Sequence, residues 1–327
     1  MVQGKLTDYN TEFQEKSEYI LHHDNGVEVK MIKVYGDIPL DIENNAYLSI
    51  FRKNRRDIHN IALYPCKYIP ELPKWAIQKY SNQGDLILDP FIGGGTTAIE
   101  AKRAGRNILC IDYNPYARLI SLVKTTIYNA TELRNFHAKI LNQISLDDSS
   151  DLPIPDFKGV DFWFNENVIR GLSKIKKYVN KIVDNDIKNF FLVGFSMAVR
   201  KSSYIAPGQM LTARRKDWRT IKQLSEKETI DLFSSFCDEY IKYIAEFSPK
   251  ANPNSKVSFI GNDARTIQLP ENVTHVDLIV TSPPYINAMD YIWANRLRIH
   301  WLDLVKDDAD RLNLYNYEIG TERIPKK

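Results

Sequence analysis

The sequence predicts an α/β fold built on a parallel-rich sheet, and three observations predict it. Leu86–Leu88 is a short apolar run that stops at Asp89-Pro90 and is followed by Gly93-Gly94-Gly95. A second run, Asn107–Ile111, stops at Asp112, 23 residues after Asp89. Two more, Val257–Ile260 and Asp277–Thr281, stop at Gly261-Asn262-Asp263 and at Ser282-Pro283-Pro284-Tyr285. Short apolar runs bounded by turn residues suit buried parallel strands.

The glycines remove Cβ atoms where the chain leaves the first strand, so the backbone can turn sharply and a ligand can lie against it. Thr96 or Thr97 then opens a helix whose apolar face uses Ala98, Ile99 and Ala101. Asp112 stands where an acidic residue accepts hydrogen bonds from a ribose. Strand, glycine turn, helix, strand and acid together make a nucleoside-binding half-fold. Taken alone, Gly93-x-Gly95-x-x-Ala98 also satisfies the dinucleotide fingerprint, so this half leaves two readings open.

The 327 residues are 43% hydrophobic, enough to bury one large core or two modest ones. A formal charge of +3 does not by itself indicate nucleic-acid binding. Three scattered cysteines without CxxC spacing argue for a reducing, cytoplasmic setting and against a zinc site or disulfide framework. No signal peptide and no run of 18 apolar residues is seen, so no membrane role is expected.

Four segments follow. Residues 1–57 read as a polar, irregular extension with one hairpin candidate, in which Asn25-Gly26 precedes the alternating stretch Val27–Val34. Arg52-Lys53-Asn54-Arg55-Arg56 is either a solvated loop or a phosphate-contacting patch. Residues 58–124 carry the glycine turn, preceded by a helix from Pro70 to Tyr80 and followed by one around Ala117–Val123. Residues 125–250 show helical spacing in Leu133–Ile144, Val168–Ile182, Asn189–Arg200 and Ile230–Phe247, a mainly helical insertion. Its stretch Arg214-Arg215-Lys216-Asp217-Trp218-Arg219 mixes cations with an indole, which suits phosphate gripping and base stacking as well as a solvated basic loop. Residues 251–327 hold the last two predicted strands and a helix over Asp290–Val305.

The pairing of Asp89-Pro90-Phe91-x-Gly93-x-Gly95-Thr96 with Thr281-Ser282-Pro283-Pro284-Tyr285 resembles the S-adenosylmethionine-dependent DNA amino methyltransferases, over roughly residues 58–125 and 255–300. These enzymes methylate N4 of cytosine or N6 of adenine. The resemblance implies a Rossmann-like class I methyltransferase fold that binds S-adenosylmethionine and a base flipped out of DNA. Carried over by motif position, it implies cofactor contacts from Tyr64, Asp89, Phe91, Gly93, Gly95, Thr96, Asp112 and Asp263. Asp263 would bond the adenine amino group, although Gly-Asn-Asp is also ordinary turn chemistry. Lys67 is placed beside Tyr64. Pro65-Cys66 matches the dipeptide of carbon-5 cytosine methyltransferases but precedes the glycine loop here, so it is set aside. A restriction system is implied by resemblance alone.

An exocyclic amine is a weak nucleophile because its lone pair is delocalised into the ring. Acceptors aimed at its N–H bonds localise the pair and hold the nitrogen in line. Ser282 Oγ and the Pro283 carbonyl are the candidates, Pro283-Pro284 fixes the backbone without offering N–H groups, and Tyr285 can stack on the extruded base. Serine at 282 resembles the cytosine-N4 enzymes more than the adenine-N6 ones. Adenine N6, RNA, or a cofactor-binding subunit inactive alone are the alternatives. Arg52, Arg55, Arg214, Arg215 and Trp218 are the candidate DNA contacts, and no metal ligand set is expected.

The sequence departs from the family in two respects, the first being that the helical insertion falls before Asp263, which leaves base reading by residues 125–250 open, and the second lying in the sheet. Four strands are legible where the family continues with three more, so an apolar sheet edge is expected to be open. A second polypeptide, a homodimer contact, or the N-terminal strand Val27–Val34 would each cover it.

Overall fold

The computed structural model describes residues 16–22, 28–42, 46–51, 56–286 and 289–320. The N-terminal segment forms a small sheet of its own: β1 (Lys16–His22) pairs antiparallel with β2 (Glu28–Tyr35), which pairs parallel with β3 (Ala46–Phe51). Only the hairpin had been expected. β1 and β3 mix charged, aromatic and aliphatic residues too irregularly to show a strand period. The Asn25-Gly26 turn lies outside the described residues. Ile32, Val34, Ile38 and Ile42, with Leu48 and Ile50, bury one face of this sheet against Trp75.

Trp75 belongs to α1 (Glu71–Tyr80), which leads into β4 (Leu86–Asp89), α2 (Thr96–Arg103), β5 (Asn107–Ile111) and α3 (Pro115–Thr125). The helices α4 (Ala130–Ser145), α5 (Val160–Trp163), α6 (Glu166–Asn180), α7 (Asn185–Ser202) and α8 (Glu226–Phe247) come next. Then follow β6 (Val257–Gly261), β7 (Leu278–Ile279), α9 (Tyr291–Trp301) and α10 (Asp308–Asn313). Local chemistry sets several of these boundaries. Asn129, Asn165 and Asp184 cap α4, α6 and α7, and Ser225 with Glu228 forms a capping box on α8.

The main sheet is parallel throughout, in the order β6-β5-β4-β7. Ile87, Ile108 and Cys110 face α1 and α2, where Ile77, Ala98 and Ala101 meet them. Leu88, Leu109 and Ile111 face the other way, against Val273 and Val276 of the segment before β7. The helices are not a separate body. Ile99 of α2 and Tyr116, Ile120 and Val123 of α3 share one apolar core with α4 and α6–α9. α7 runs through its middle, with Phe190, Phe191 and Phe195 fully buried. Each such ring contributes about 1.5–3 kcal/mol of burial.

Gly95 shows why the glycine turn tolerates no other residue there. Its φ is +81°, and a Cβ at this position would lie 2.9 Å from Ser121 Oγ and 3.0 Å from Ser121 Cα on α3. The constraint is therefore protein against protein. Gly84 has a similar φ of +92° but open space around it. Gly95→Ala is expected to lower unfolding free energy by about 2–4 kcal/mol, combining left-handed strain with overpacking. Gly84→Ala should cost only about 1–2 kcal/mol, and urea titration of both variants measures the difference.

Among the described residues β7 pairs only with β4, and Ile279 on it is 59% exposed. The expectation that an N-terminal strand covers this edge is not met: β2 is committed to β1 and β3. Both of its edges are hydrogen-bonded elsewhere. An exposed apolar edge favours association. Sedimentation of this chain at rising concentration is expected to show self-association that Ile279→Lys reduces.

Candidate active site

Strand order decides where the site lies. The chain moves outward from β4 through β5 to β6, then returns to the far side of β4 to form β7, so the order reverses beside β4. Ligands bind at the carboxyl ends of strands at such a reversal. A cleft opens there, lined by residues 64–68, 90–94 and Thr96, 111–113, Asn262 and Ala264, Ser282 and Pro284, and Tyr291, Tyr317 and Ile319.

The glycine loop forms one wall and is held from behind. Ser121 Oγ donates to the Gly93 carbonyl at 2.9 Å, and the buried Lys124 Nζ donates to the Gly94 carbonyl at 2.9 Å. Burial drives the Lys124 ammonium well below the usual lysine range. In front of the loop, the Tyr64 ring packs 3.3 Å from where a Cβ on Gly93 would sit. It also stacks on Tyr291 with centroids 6.1 Å apart.

Asp112 ends β5 and borders the cleft. One of its oxygens accepts the Gly93 N–H at 2.9 Å, the other the Asn114 N–H at 2.9 Å. Burial pushes the carboxyl up to about 6, and the two backbone donors oppose that shift. The remaining lone pairs suit ribose hydroxyls.

Asp89 ends β4 and lies just beneath the cleft surface. Its Oδ1 accepts the Phe91 N–H at 3.0 Å and the Thr281 hydroxyl at 2.7 Å, and its Oδ2 accepts the Thr97 hydroxyl at 2.5 Å. Burial raises its pKa, and these donors oppose the rise. Beyond Thr281, Ser282 and Pro284 reach the cleft wall, while Pro283 is exposed and Tyr285, 55% exposed, is not among the lining residues.

The family described as DNA methylase matches residues 8–122, the half that contains β4, the glycine loop and Asp112. Over 93% of its length the chain is 28% identical to Type II methyltransferase M.MvaI of Kocuria varians, of which it covers 69%. It is 25% identical over 84% of its length to Type II methyltransferase M.BsoBI of Geobacillus stearothermophilus, of which it covers 58%. A segment of 92 residues is 34% identical to Type II methyltransferase M.MjaII of Methanocaldococcus jannaschii, or 28% of this chain and 17% of that protein. No solved structure matches. These similarities support an N4/N6 DNA amino methyltransferase.

In this chain Tyr64, Phe91, Gly93, Thr96, Asp112, Ser282 and Pro284 come together around one cleft, drawn from four stretches of sequence. Asp89 and Gly95 stand one layer behind, the first bonding the loop and the second packing on Ser121. Asp263 is held by Arg265, which donates to both carboxylate oxygens at 2.8 Å and keeps the acid below its usual range. Its neighbours Asn262 and Ala264 line the cleft instead. Arg52 and Arg55 lie outside the described residues. Arg214 is sandwiched between the rings of Phe162, 3.8 Å away, and Trp218, 3.4 Å away. Arg219 lies 4.5 Å from the same indole, and Arg215 is paired with Asp217 at 2.7 Å.

Sequence reasoning missed Tyr68, Tyr113, Asn262, Tyr291, Tyr317 and Ile319 as cleft residues. Tyrosines far apart in sequence carry no spacing signal. Asn262 had one, since it follows the β6 run directly. Among the described residues no cluster of His, Cys, Asp or Glu could hold a metal ion, and no helix is long and apolar enough to cross a membrane.

Proposed function

We propose that this methyltransferase transfers a methyl group from S-adenosylmethionine to the exocyclic N4 amine of cytosine at a specific DNA sequence, as the modification activity of a restriction system. One observation carries the reading: Ser282 and Pro284 share a cleft with Gly93, Thr96 and Asp112. The nucleoside-binding wall and the amine-accepting wall face the same space. The Type II designation of the relatives supports the restriction context.

The residues present fit the cofactor. Asp112 offers acceptors to a ribose, the glycine loop offers close backbone approach, and Tyr64 and Phe91 offer ring surface. S-adenosylmethionine, when bound, supplies an activated methyl group on a sulfonium. Ser282 Oγ and the Pro283 carbonyl accept the two amine N–H bonds, which pulls the nitrogen toward tetrahedral geometry. The surplus proton then leaves to water. The exposed Tyr285 stacks on the extruded base. DNA contact falls to Arg214, Arg215 and Trp218, a loop that phosphates would engage in competition with its own ring and carboxylate contacts. Arg52 and Arg55 extend the same proposal. A further polypeptide, or a second copy of the chain, adds a strand to the open β7 edge.

Labelled methyl transfer to unmethylated genomic DNA, followed by digestion to nucleosides, tests the reading. Label is expected in N4-methylcytosine, and Ser282→Ala should reduce turnover about 100-fold while leaving cofactor binding intact. Label in N6-methyladenine would move the target atom, and label independent of Ser282 would remove the amine-accepting role.

Cofactor affinity should also depend on pH through Asp112. The ionised carboxylate accepts ribose hydroxyls, so affinity is expected to be flat above about pH 7 and to weaken as pH falls through about 6. Because the folded-state pKa is raised, protonating this group stabilises the fold between about pH 6 and 4, so that loss is not unfolding. Calorimetric titration across pH should show a flat, weaker profile for Asp112→Asn.

A further inference from the structure

Three segments that line the cleft are joined beneath its surface by one chain of hydrogen bonds. The Tyr68 hydroxyl bonds the Thr97 hydroxyl, Thr97 donates to Asp89 Oδ2, and Thr281 donates to Asp89 Oδ1. Tyr68 belongs to the 64–68 wall, Thr97 and Asp89 to the glycine loop and its strand, and Thr281 immediately precedes Ser282. Asp89 is 1% exposed, so its bonds are made out of contact with water.

The catalytic side of this chain is thinly held. β7 is two residues long, and its last backbone bond runs from the Val280 N–H to the Leu88 carbonyl at 3.1 Å. Pro283 and Pro284 have no N–H to bond, and Tyr285 and Ile286 are exposed at 55% and 82%. Thr281 Oγ1 to Asp89 Oδ1, at 2.7 Å, is therefore the tether nearest to Ser282 that reaches the cofactor half. The partners are 192 residues apart in sequence and lie on either side of the reversal in strand order.

We propose that Thr281 is a positioning residue, whose hydroxyl on Asp89 sets the distance between the amine acceptors of Ser282-Pro283 and the cofactor wall. This rests on the methyl-transfer reading given above. Thr281 touches neither substrate nor cofactor in this role. A misplacement of about 1 Å at a reacting centre costs on the order of 100-fold in rate, so a tether of this kind acts on turnover.

The test compares Thr281→Val, which keeps the side-chain shape and removes the hydroxyl, with Thr281→Ser, which keeps the hydroxyl. Two readouts are taken on each folded variant: single-turnover methyl transfer with cofactor Kd, and hydrogen exchange at the Val280 amide. Thr281→Val is expected to slow transfer about 10–100-fold with cofactor Kd within about twofold of wild type. It should also speed Val280 exchange, and Thr281→Ser should restore both. Wild-type turnover in Thr281→Val would overturn the proposal. So would a cofactor Kd that weakens as much as the rate, or unchanged exchange at Val280. Ser282→Ala separates the roles, because it should lose turnover with Val280 exchange unaltered. Should the wild-type chain transfer no methyl group to any DNA, the methyl-transfer reading fails, and the exchange measurement still decides whether Thr281 holds the loop.

Discussion

A carboxylate buried at the end of β4 is the constraint on which the site depends. An ionised group out of water is tolerated only when its lone pairs are occupied by donors. Asp89 meets that demand with one backbone N–H and one hydroxyl from its own glycine loop and a second hydroxyl from Thr281. The need to satisfy the acid therefore decides where Phe91, Thr97 and Thr281 must be. Replacing it with an apolar residue would leave two hydroxyls and an amide without their acceptor. The geometry of two segments is thus encoded in the desolvation of a single side chain.

The glycine loop follows the same logic from its other side. Glycines before a helix are usually explained by the ligand they admit, yet here the first demand is internal. Ser121 crowds Gly95, and Lys67 lies 2.8 Å from where a Cβ on Gly94 would be. The carbonyls of Gly93 and Gly94 are bonded by Ser121 and Lys124 from α3. The loop is thereby fixed by the protein's own bonds, which lowers the ordering cost of binding. Lys124, whose pKa burial lowers, is held at the Gly94 carbonyl.

The pattern of what was legible in the sequence has a physical basis. β4, β5 and β6 were readable because each is a short apolar run cut off by turn residues, and parallel strands buried on both faces need such runs. β7 was read as five residues and is two, since it has one neighbour to pair with and Val280 keeps only a single bond to Leu88. α7 was readable because a helix through the middle of a core is apolar on all sides. The loop and Asp112 followed from spacing. Asp263 was named from its place after β6, and its bidentate partner Arg265, two residues on, is one that a sequence pattern does not weigh. Trp218 likewise meets Arg214 and Arg219 of its own loop. Tyr68, Tyr291 and Tyr317 reach the cleft through tertiary packing alone. Thr281 was named in a motif, but its acceptor lies 192 residues away and no local rule connects them.

The order β6-β5-β4-β7 explains why these distant residues meet at Asp89 rather than elsewhere. β4 ends at Asp89 and its neighbour β5 leads into Asp112, two acids that bond the glycine loop. On the other side β7 ends at Ile279 and leads into Thr281-Ser282. A residue at the carboxyl end of β4 is the one position adjacent to both sides, because β4 is the strand they share. A donor-binding wall and an acceptor-binding wall built on separate strands need a common reference, or their spacing drifts with every relaxation of the thin β7 edge. A short, charged, fully desolvated acceptor on the shared strand supplies that reference with two or three hydrogen bonds. On the proposed reading, methyl transfer asks for control of one distance, and Asp89 bonds both sides across which that distance runs.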